Sequence, residues 1–169
     1  MTPADAKTVR DFLVATWDFE VLTTTRVFQA VPDERLDYRP DPVSKTAIDL
    51  IRHIALEDVW FLDGIADGRF GPMPDQGDGC GLSKPADAAA QYPSRAKASL
   101  ARVKALSGEE LLREIDLMGA FKFPAIQFLS LALRHSTHHR GQLSSYLRAM
   151  GGKVPSIYGP SADTVQLTA

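Results

Sequence analysis

The sequence predicts an all-α protein organised as a four-helix bundle. Long stretches carry apolar residues at helical spacing, the breaks between them are rich in proline and glycine, and no series of alternating strands appears. The chain has 169 residues, of which 44% are apolar and 24% charged, a composition typical of a soluble globular protein. A chain of this length fits one domain better than two, so we expect residues 1–169 to form a single helical domain.

The first two predicted helices are bounded by capping residues and by proline. Thr2 is the predicted N-cap of a helix that continues to about Ala30. A proline-rich loop occupies residues 31–43, and Ser44 is the predicted N-cap of a second helix that ends near Asp67.

A glycine-rich loop separates the second helix from the third. Residues 68–85 contain five glycines and three prolines, which is typical of an irregular loop. Ser83 is the predicted cap of a third helix over residues 84–106, and Pro93 is expected to bend this helix because proline lacks a backbone donor.

The last third of the chain predicts one short helix and one long one. Residues 107–110 (SGEE) match a capping box, which indicates a short helix. Residues 117–123 are too short and ambiguous to assign. Pro124 can open a final long helix, and the glycines at 151–152 can end it by adopting a left-handed conformation.

Charge and composition exclude several classes of protein. The formal charge is −2 and no basic block is present, so we expect no nucleic-acid partner. No apolar run approaches the ~18 residues of a membrane span, and residues 1–10 lack the apolar segment of a signal peptide. The single cysteine, Cys80, excludes an intrachain disulfide framework. We therefore expect a cytoplasmic protein with no membrane partner.

The histidines of the last helix fall on two different faces. A rotation of 100° per residue places His135 and His139 together inside the apolar arc of this helix. His138 falls at the polar margin, so we expect it on the surface or behind the site. Two imidazoles one turn apart can direct ring nitrogens at one cation, which makes His135 and His139 candidate metal ligands.

His53 is the candidate for a third ligand. It lies at the edge of the apolar arc of the second helix, on the same stripe as Glu57. Three neutral histidines leave coordination positions open for water or substrate, the pattern of a catalytic rather than a closed structural site. The alternative is that these histidines are hydrogen-bonded core residues, and the spacing alone leaves both interpretations open.

Neighbouring residues have more than one interpretation. Glu57 is a fourth ligand, an acceptor that orients an imidazole, or an exposed carboxylate. Gln142 lies on the histidine face, where it can bind substrate or a ligand, and Tyr146 reaches either the pocket or the core. Arg140 faces away from the histidines, which favours a salt bridge or a subunit contact. Tyr158 lies in a tail that can fold back on the bundle.

Cys80 is a poor candidate nucleophile. It lies in the glycine-rich loop with no histidine or cation near it in the sequence. No neighbour in the sequence would stabilise its thiolate, the form that acts as a nucleophile.

Two segments resemble those of a known bacterial family. Residues 135–163 (HSTHHRGQLSSYLRAMGGKVPSIYGPSAD) are similar to the C-terminal signature of the DinB/YfiT-like family of metal-dependent enzymes. Residues 47–65 (AIDLIRHIALEDVWFLDGI) resemble the segment that carries the first metal histidine of that family. The loop VPDERLDYRPDP resembles the loop that precedes this helix in members of the family. The resemblance therefore covers most of the chain.

The resemblance implies a bundle of the DinB/YfiT-like type with a bound divalent metal. By position, the implied ligands are His53, His135 and His139, and the metal is commonly nickel or zinc. The resemblance also implies a homodimer and, in some branches, transfer reactions that use a low-molecular-weight thiol. The family name refers to DNA damage induction, but the neutral charge argues against DNA binding here.

The leading functional hypothesis is a metal-dependent enzyme that acts on a small molecule. A thiol nucleophile would make it a transferase and water would make it a hydrolase, and the sequence does not separate the two because no acid–base residue has a diagnostic spacing. The alternative is a non-catalytic metal-binding protein of the stress response that works as a dimer.

Overall fold

The computed structural model describes residues 1–165 and is mostly helical. The helices are α1 (Pro3–Gln29), α2 (Ala47–Asp67), α3 (Pro85–Lys104), α4 (Gly108–Leu112) and α5 (Ala125–Leu147). Two short strands, β1 (Glu114–Leu117) and β2 (Phe121–Pro124), lie between α4 and α5. Within the described range, no helix combines the length and the apolar character that a membrane-spanning segment needs.

The four long helices enclose one apolar core. α1 packs against α3 and α5, and α2 packs against the same two helices. Trp17, Phe28, Leu50 and Phe128 are fully buried at their centre. Burial of side chains of this size contributes about 1.5–3 kcal/mol each, and the prediction of an all-α fold is confirmed at this level.

A β-hairpin is the part of the fold that the sequence analysis missed. β1 and β2 pair antiparallel, with Ile115 opposite Phe123, and the hairpin includes residues 117–123, which the sequence does not assign. Met118 and Gly119 adopt positive φ angles of 50° and 78° in the turn, and Asp116 accepts a hydrogen bond from the backbone of Gly119 at 2.7 Å. A plain four-helix bundle therefore describes the chain incompletely.

Two predicted helix caps, Thr2 and Ser107, are confirmed, and two, Ser44 and Ser83, are wrong. Thr2 and Ser107 each accept a bond from the third residue of the helix that follows, in full capping boxes. Ser44 is not the cap of α2, because its hydroxyl donates to Asp41 at 2.5 Å inside the preceding loop. Thr46 takes this role, since its side chain accepts the bond from the first turn of α2.

The ends of α3 and α5 also differ slightly from the prediction. The N-cap position of α3 is Lys84 rather than Ser83, and the Asp87 carboxylate accepts the backbone N–H of both residues. The helix continues through Pro93. The predicted glycine stop is confirmed, because Gly151 adopts a φ of 82° directly after α5 and one further 3₁₀ turn.

The segment over residues 69–84, hereafter the strap, runs back along α2 instead of leaving it. Phe70 begins this return by packing on Gly64, where a Cβ atom would lie only 2.3 Å from the Phe70 ring. The Trp60 indole then donates to the carbonyl of Gly71 at 3.1 Å. Near the other end of the strap, Arg52 donates to the carbonyl of Leu82 at 2.9 Å. The strap thus lies along α2, with contacts near both ends of the segment.

Candidate metal centre

Three histidines from two helices meet at one point on the α2–α5 interface. His53 comes from α2, and His135 and His139 come from consecutive turns of α5. One ring nitrogen from each of them lies within 4.8 Å of the others, and each side chain is partly buried. The structure therefore brings His53 of α2 together with the pair that the helical wheel places inward on α5.

The register between α2 and α5 places these side chains opposite one another. The two helices run antiparallel, since Tyr146 near the end of α5 donates to the carbonyl of Lys45 just before α2. Next to the histidines, Ser136 of α5 donates to Asp58 of α2 at 2.7 Å. The Phe61 ring lies 5.3 Å from the ring of His135 and forms an apolar wall beside the cluster.

Glu57 lies against the histidine cluster and is 5% exposed. Its Oε1 atom is 2.7 Å from Nδ1 of His53, and its Oε2 atom is 3.4 Å from Nε2 of His135. The alternative that Glu57 is an exposed carboxylate is wrong. Its contact with His53 is that of an acceptor that orients an imidazole, a role common beside metal-binding histidines, and the alternative of a fourth ligand stays open.

Hydrogen bonds determine which nitrogen of two of the rings carries a proton. Nδ1 of His53 faces the Glu57 carboxylate and the Gln76 Oε1 atom at 3.3 Å. Nδ1 of His139 lies 3.1 Å from Oε1 of Gln142. Because these partners are all acceptors, each Nδ1 atom donates, and the lone pair of each Nε2 atom is left for a ligand.

The charge state of the cluster also suits a cation. Burial and the nearby His139 lower the pKa of His135 to about 4, and burial lowers the pKa of His139 as well. Burial raises the pKa of Glu57, but the hydrogen bonds from His53 and Gln76 outweigh it and the net pKa is lowered. At neutral pH, these two histidines are therefore neutral beside an ionised carboxylate.

The donor set fits a divalent transition metal. Imidazole nitrogens suit zinc, nickel and related ions, and a nearby carboxylate adds compensating charge. Among residues 1–165, Nδ1 of His135 is buried without any hydrogen-bond partner. A buried ring nitrogen without a partner costs free energy in a purely structural cluster, which favours a ligand-binding role.

Other predicted residues lie around this centre in different roles. Gln142 contacts His139, so it supports a candidate ligand. His138 is exposed with its ring 4.8 Å from that of His139, and it lies outside the cluster. Tyr146 is buried and bonds to a backbone carbonyl, which agrees with the core alternative. Cys80 is a free thiol on the strap.

Arg140 forms a buried ion pair on the far side of α5. It is 2% exposed and pairs with Glu20 of α1, so of its two alternatives the structure shows the salt bridge. The tail folds back as expected, since the Tyr158 hydroxyl donates to Glu20 at 2.9 Å. The Arg140–Glu20 pair joins α5 to α1 behind the histidines.

Two features near the centre were not predicted. Gln76, on the strap, contacts both His53 and Glu57. Asp58 is fully buried and accepts hydroxyl bonds from Tyr92 and Ser136, each at 2.7 Å. Burial raises the pKa of Asp58 to about 7.

Comparison with known proteins supports a common fold and ancestry. The chain is 28% identical over 130 residues to the uncharacterised protein YjoA of Bacillus subtilis, covering 76% of this chain and 82% of YjoA. It is 27% identical over 160 residues to the uncharacterised protein YrdA of the same organism, covering 90% of each.

Two crystal structures of DinB-like proteins match the fold. The structure of YjoA aligns with a TM-score of 0.71 and 26% identity over 88% of this chain and 99% of that one. A DinB-like protein from Bacillus cereus aligns with a TM-score of 0.72 and 23% identity over 86% of this chain and 95% of that one, which supports the fold alone. The sequence model described as the DinB family matches residues 7–167.

Proposed function

Because the chain belongs to the DinB family, we propose that it is a metal-dependent protein whose site binds zinc or nickel through His53, His135 and His139. The observation that carries this proposal is the convergence of three histidine nitrogens beside the buried carboxylate of Glu57. Three histidines leave coordination positions open for a further ligand.

We infer that the site activates a thiol or water nucleophile for attack on a small-molecule substrate. A bound divalent ion supplies this activation by lowering the pKa of a thiol or of water. Glu57 holds the proton of His53 on Nδ1, and Gln142 does the same for His139. The buried Phe61 ring packs beside His135 and gives the site one apolar wall.

Metal content is the most direct test. Protein purified without chelator should contain about one divalent ion per chain, measured by elemental analysis. Chelator should lower the melting temperature, because an ion bound between α2 and α5 stabilises only the folded state. The absence of bound metal, with none taken up on titration, would refute the proposal.

Turnover with and without added thiols separates the two reactions. If the nucleophile is a low-molecular-weight thiol, transfer to an electrophilic substrate should require the thiol and the metal together. Ester or amide hydrolysis that proceeds without thiol would contradict the transferase version and support hydrolysis.

A second candidate is a non-catalytic metal-binding protein of the stress response. The observation that favours it is the position of Glu57, with Oε2 only 3.4 Å from a histidine nitrogen, since a carboxylate in the fourth position would close the site. A Co²⁺ spectrum that stays unchanged on addition of thiols or azide would support this closed site.

We further infer that the four long helices form a DinB/YfiT-type bundle that acts as a homodimer in the cytoplasm. Phe12, Phe19 and Leu22 support the dimer, because α1 exposes all three apolar side chains. Light scattering, which measures the mass in solution, tests it.

A further inference from the structure

The strap brings one side chain into contact with two residues of the candidate metal centre. Gln76 donates through Nε2 to Oε1 of Glu57 at 2.6 Å, and its own Oε1 lies 3.3 Å from Nδ1 of His53. One carboxamide therefore contacts both the candidate ligand and the carboxylate that orients it.

The strap does not depend on Gln76 for its position. Arg52 forms an ion pair with Asp78 at 2.9 Å on one side of Gln76, in addition to its bond to Leu82. On the other side, Trp60 bonds the strap backbone at Gly71. Because contacts on both sides hold the segment along α2, loss of the Gln76 carboxamide should leave the path of the strap intact.

The Glu57 carboxylate can orient toward His53 or toward His135. Its Oε1 atom accepts from His53, while its Oε2 atom faces His135 at 3.4 Å. The Gln76 amide donates to the same Oε1 atom that His53 uses. This second donor favours the orientation in which the carboxylate stays on His53 and the lone pair of the His53 Nε2 atom remains free.

We propose that Gln76 is a positioning residue of the metal centre, which sets metal affinity and ligand geometry by holding Glu57 against His53. The proposal rests on the proposed function, because it concerns the same three-histidine site. In this proposal the strap not only joins α2 to α3 but also supplies a side chain that supports the metal site.

The test is a set of variants whose affinity for Zn²⁺ is measured by competition with a chromogenic chelator. Gln76→Leu keeps the volume and removes the carboxamide, and it should lower Zn²⁺ affinity about 10- to 100-fold, the range for outer partners of metal ligands. Gln76→Asn keeps a carboxamide and should retain more affinity than Gln76→Leu does. Gln91 offers a matched control, since it bonds to the strap at Gly81 without contacting Glu57. Gln91→Leu should leave affinity unchanged.

A double-mutant cycle with Glu57→Gln shows whether Gln76 acts through Glu57. In the Glu57→Gln background, Gln76→Leu should change Zn²⁺ affinity by less than about threefold, because the coupling partner is already altered. The visible absorption spectrum of the Co²⁺ form should shift in Gln76→Leu and stay unchanged in Gln91→Leu.

Three outcomes would overturn the positioning role while leaving the proposed function intact. The first is wild-type Zn²⁺ affinity in Gln76→Leu, and the second is higher Zn²⁺ affinity in Gln76→Leu than in Gln76→Asn. The third is an equal effect of Gln76→Leu on Zn²⁺ affinity in the wild-type and Glu57→Gln proteins. A wild-type protein that binds neither Zn²⁺ nor Co²⁺ would instead overturn the proposed function, and the positioning role with it.

Discussion

Alanine at His53, His135 or His139 is expected to lower Zn²⁺ affinity by more than about 100-fold, beyond the 10- to 100-fold typical of residues that only support a ligand. Each substitution removes one of the three nitrogens that lie within 4.8 Å of one another. Isothermal titration or chelator competition on the purified variants measures this loss.

His138→Ala is the matched control, since His138 lies next to the cluster in sequence and is exposed. It should change Zn²⁺ affinity by less than about threefold, as expected for a side chain that is neither a ligand nor a support for one. Chelator should lower the melting temperature of this control as in the wild type, and much less in the three ligand variants.

Two results would contradict this arrangement. Equal loss of metal from His138→Ala and His139→Ala would show that the wrong histidine of the adjacent pair is assigned. A full metal complement in His53→Ala would show that the site lies on α5 alone. If the three histidines were only packed core residues, their substitution would lower stability without changing metal content.

The inward histidines could be predicted because helical phase is a local property. Positions 135 and 139 share a face with the apolar residues of α5 whatever the partner helix is. To include His53, one must also assume that α2 packs on α5, and the apolar arc of α2 supports this assumption. The resemblance to a known family led to the same three residues independently.

The hairpin and Gln76 could not be predicted for two different reasons. Each strand has only four residues, too few for a clear alternating pattern. The turn through Met118 and Gly119 requires positive φ angles, which the sequence of residues 117–123 does not clearly predict. Gln76 lies 19 residues from Glu57 along the chain, and it reaches Glu57 only because the strap returns along α2. Contacts distant in sequence, such as that of Trp60 with Gly71, determine this path.

Asp58 is the most consequential residue that local pattern did not reveal. It is fully buried on α2, and its two hydroxyl partners arrive from other helices, Tyr92 from α3 and Ser136 from α5. Both donate to Oδ2, and within the described part of the chain Oδ1 has no partner. The two hydroxyl donors favour the ionised form of the carboxyl, but burial without a paired cation outweighs them and favours the neutral form.

Asp58 should therefore make the apoprotein less stable as the pH rises. Burial raises the folded-state pKa from 3.8 to about 7, so the folded protein keeps a proton that the unfolded chain has released. The stabilisation is fully present below the unfolded pKa and is lost as the pH rises through the folded one. At 1.36 kcal/mol per pKa unit, the total loss is about 4 kcal/mol.

The histidines act in the opposite direction over part of the same range. The pKa values of His135 and His139 are lowered by burial, so their contribution to the free energy of unfolding increases with pH toward neutrality. The pH dependence of the free energy of unfolding of the wild type therefore contains both the Asp58 and the histidine contributions. Comparison with a variant that changes Asp58 alone separates them.

Asp58→Asn imitates the neutral carboxyl and should remove the contribution of Asp58 to the pH dependence. The stability of this variant relative to the wild type should rise by about 4 kcal/mol between about pH 4 and about pH 7.5, measured by urea unfolding with chelator present. The same change at the exposed Asp37 should alter stability by less than about 0.5 kcal/mol throughout. A difference between Asp58→Asn and wild type that does not vary with pH would show that Asp58 is ionised in the folded protein well below neutral pH, with water or a cation at Oδ1.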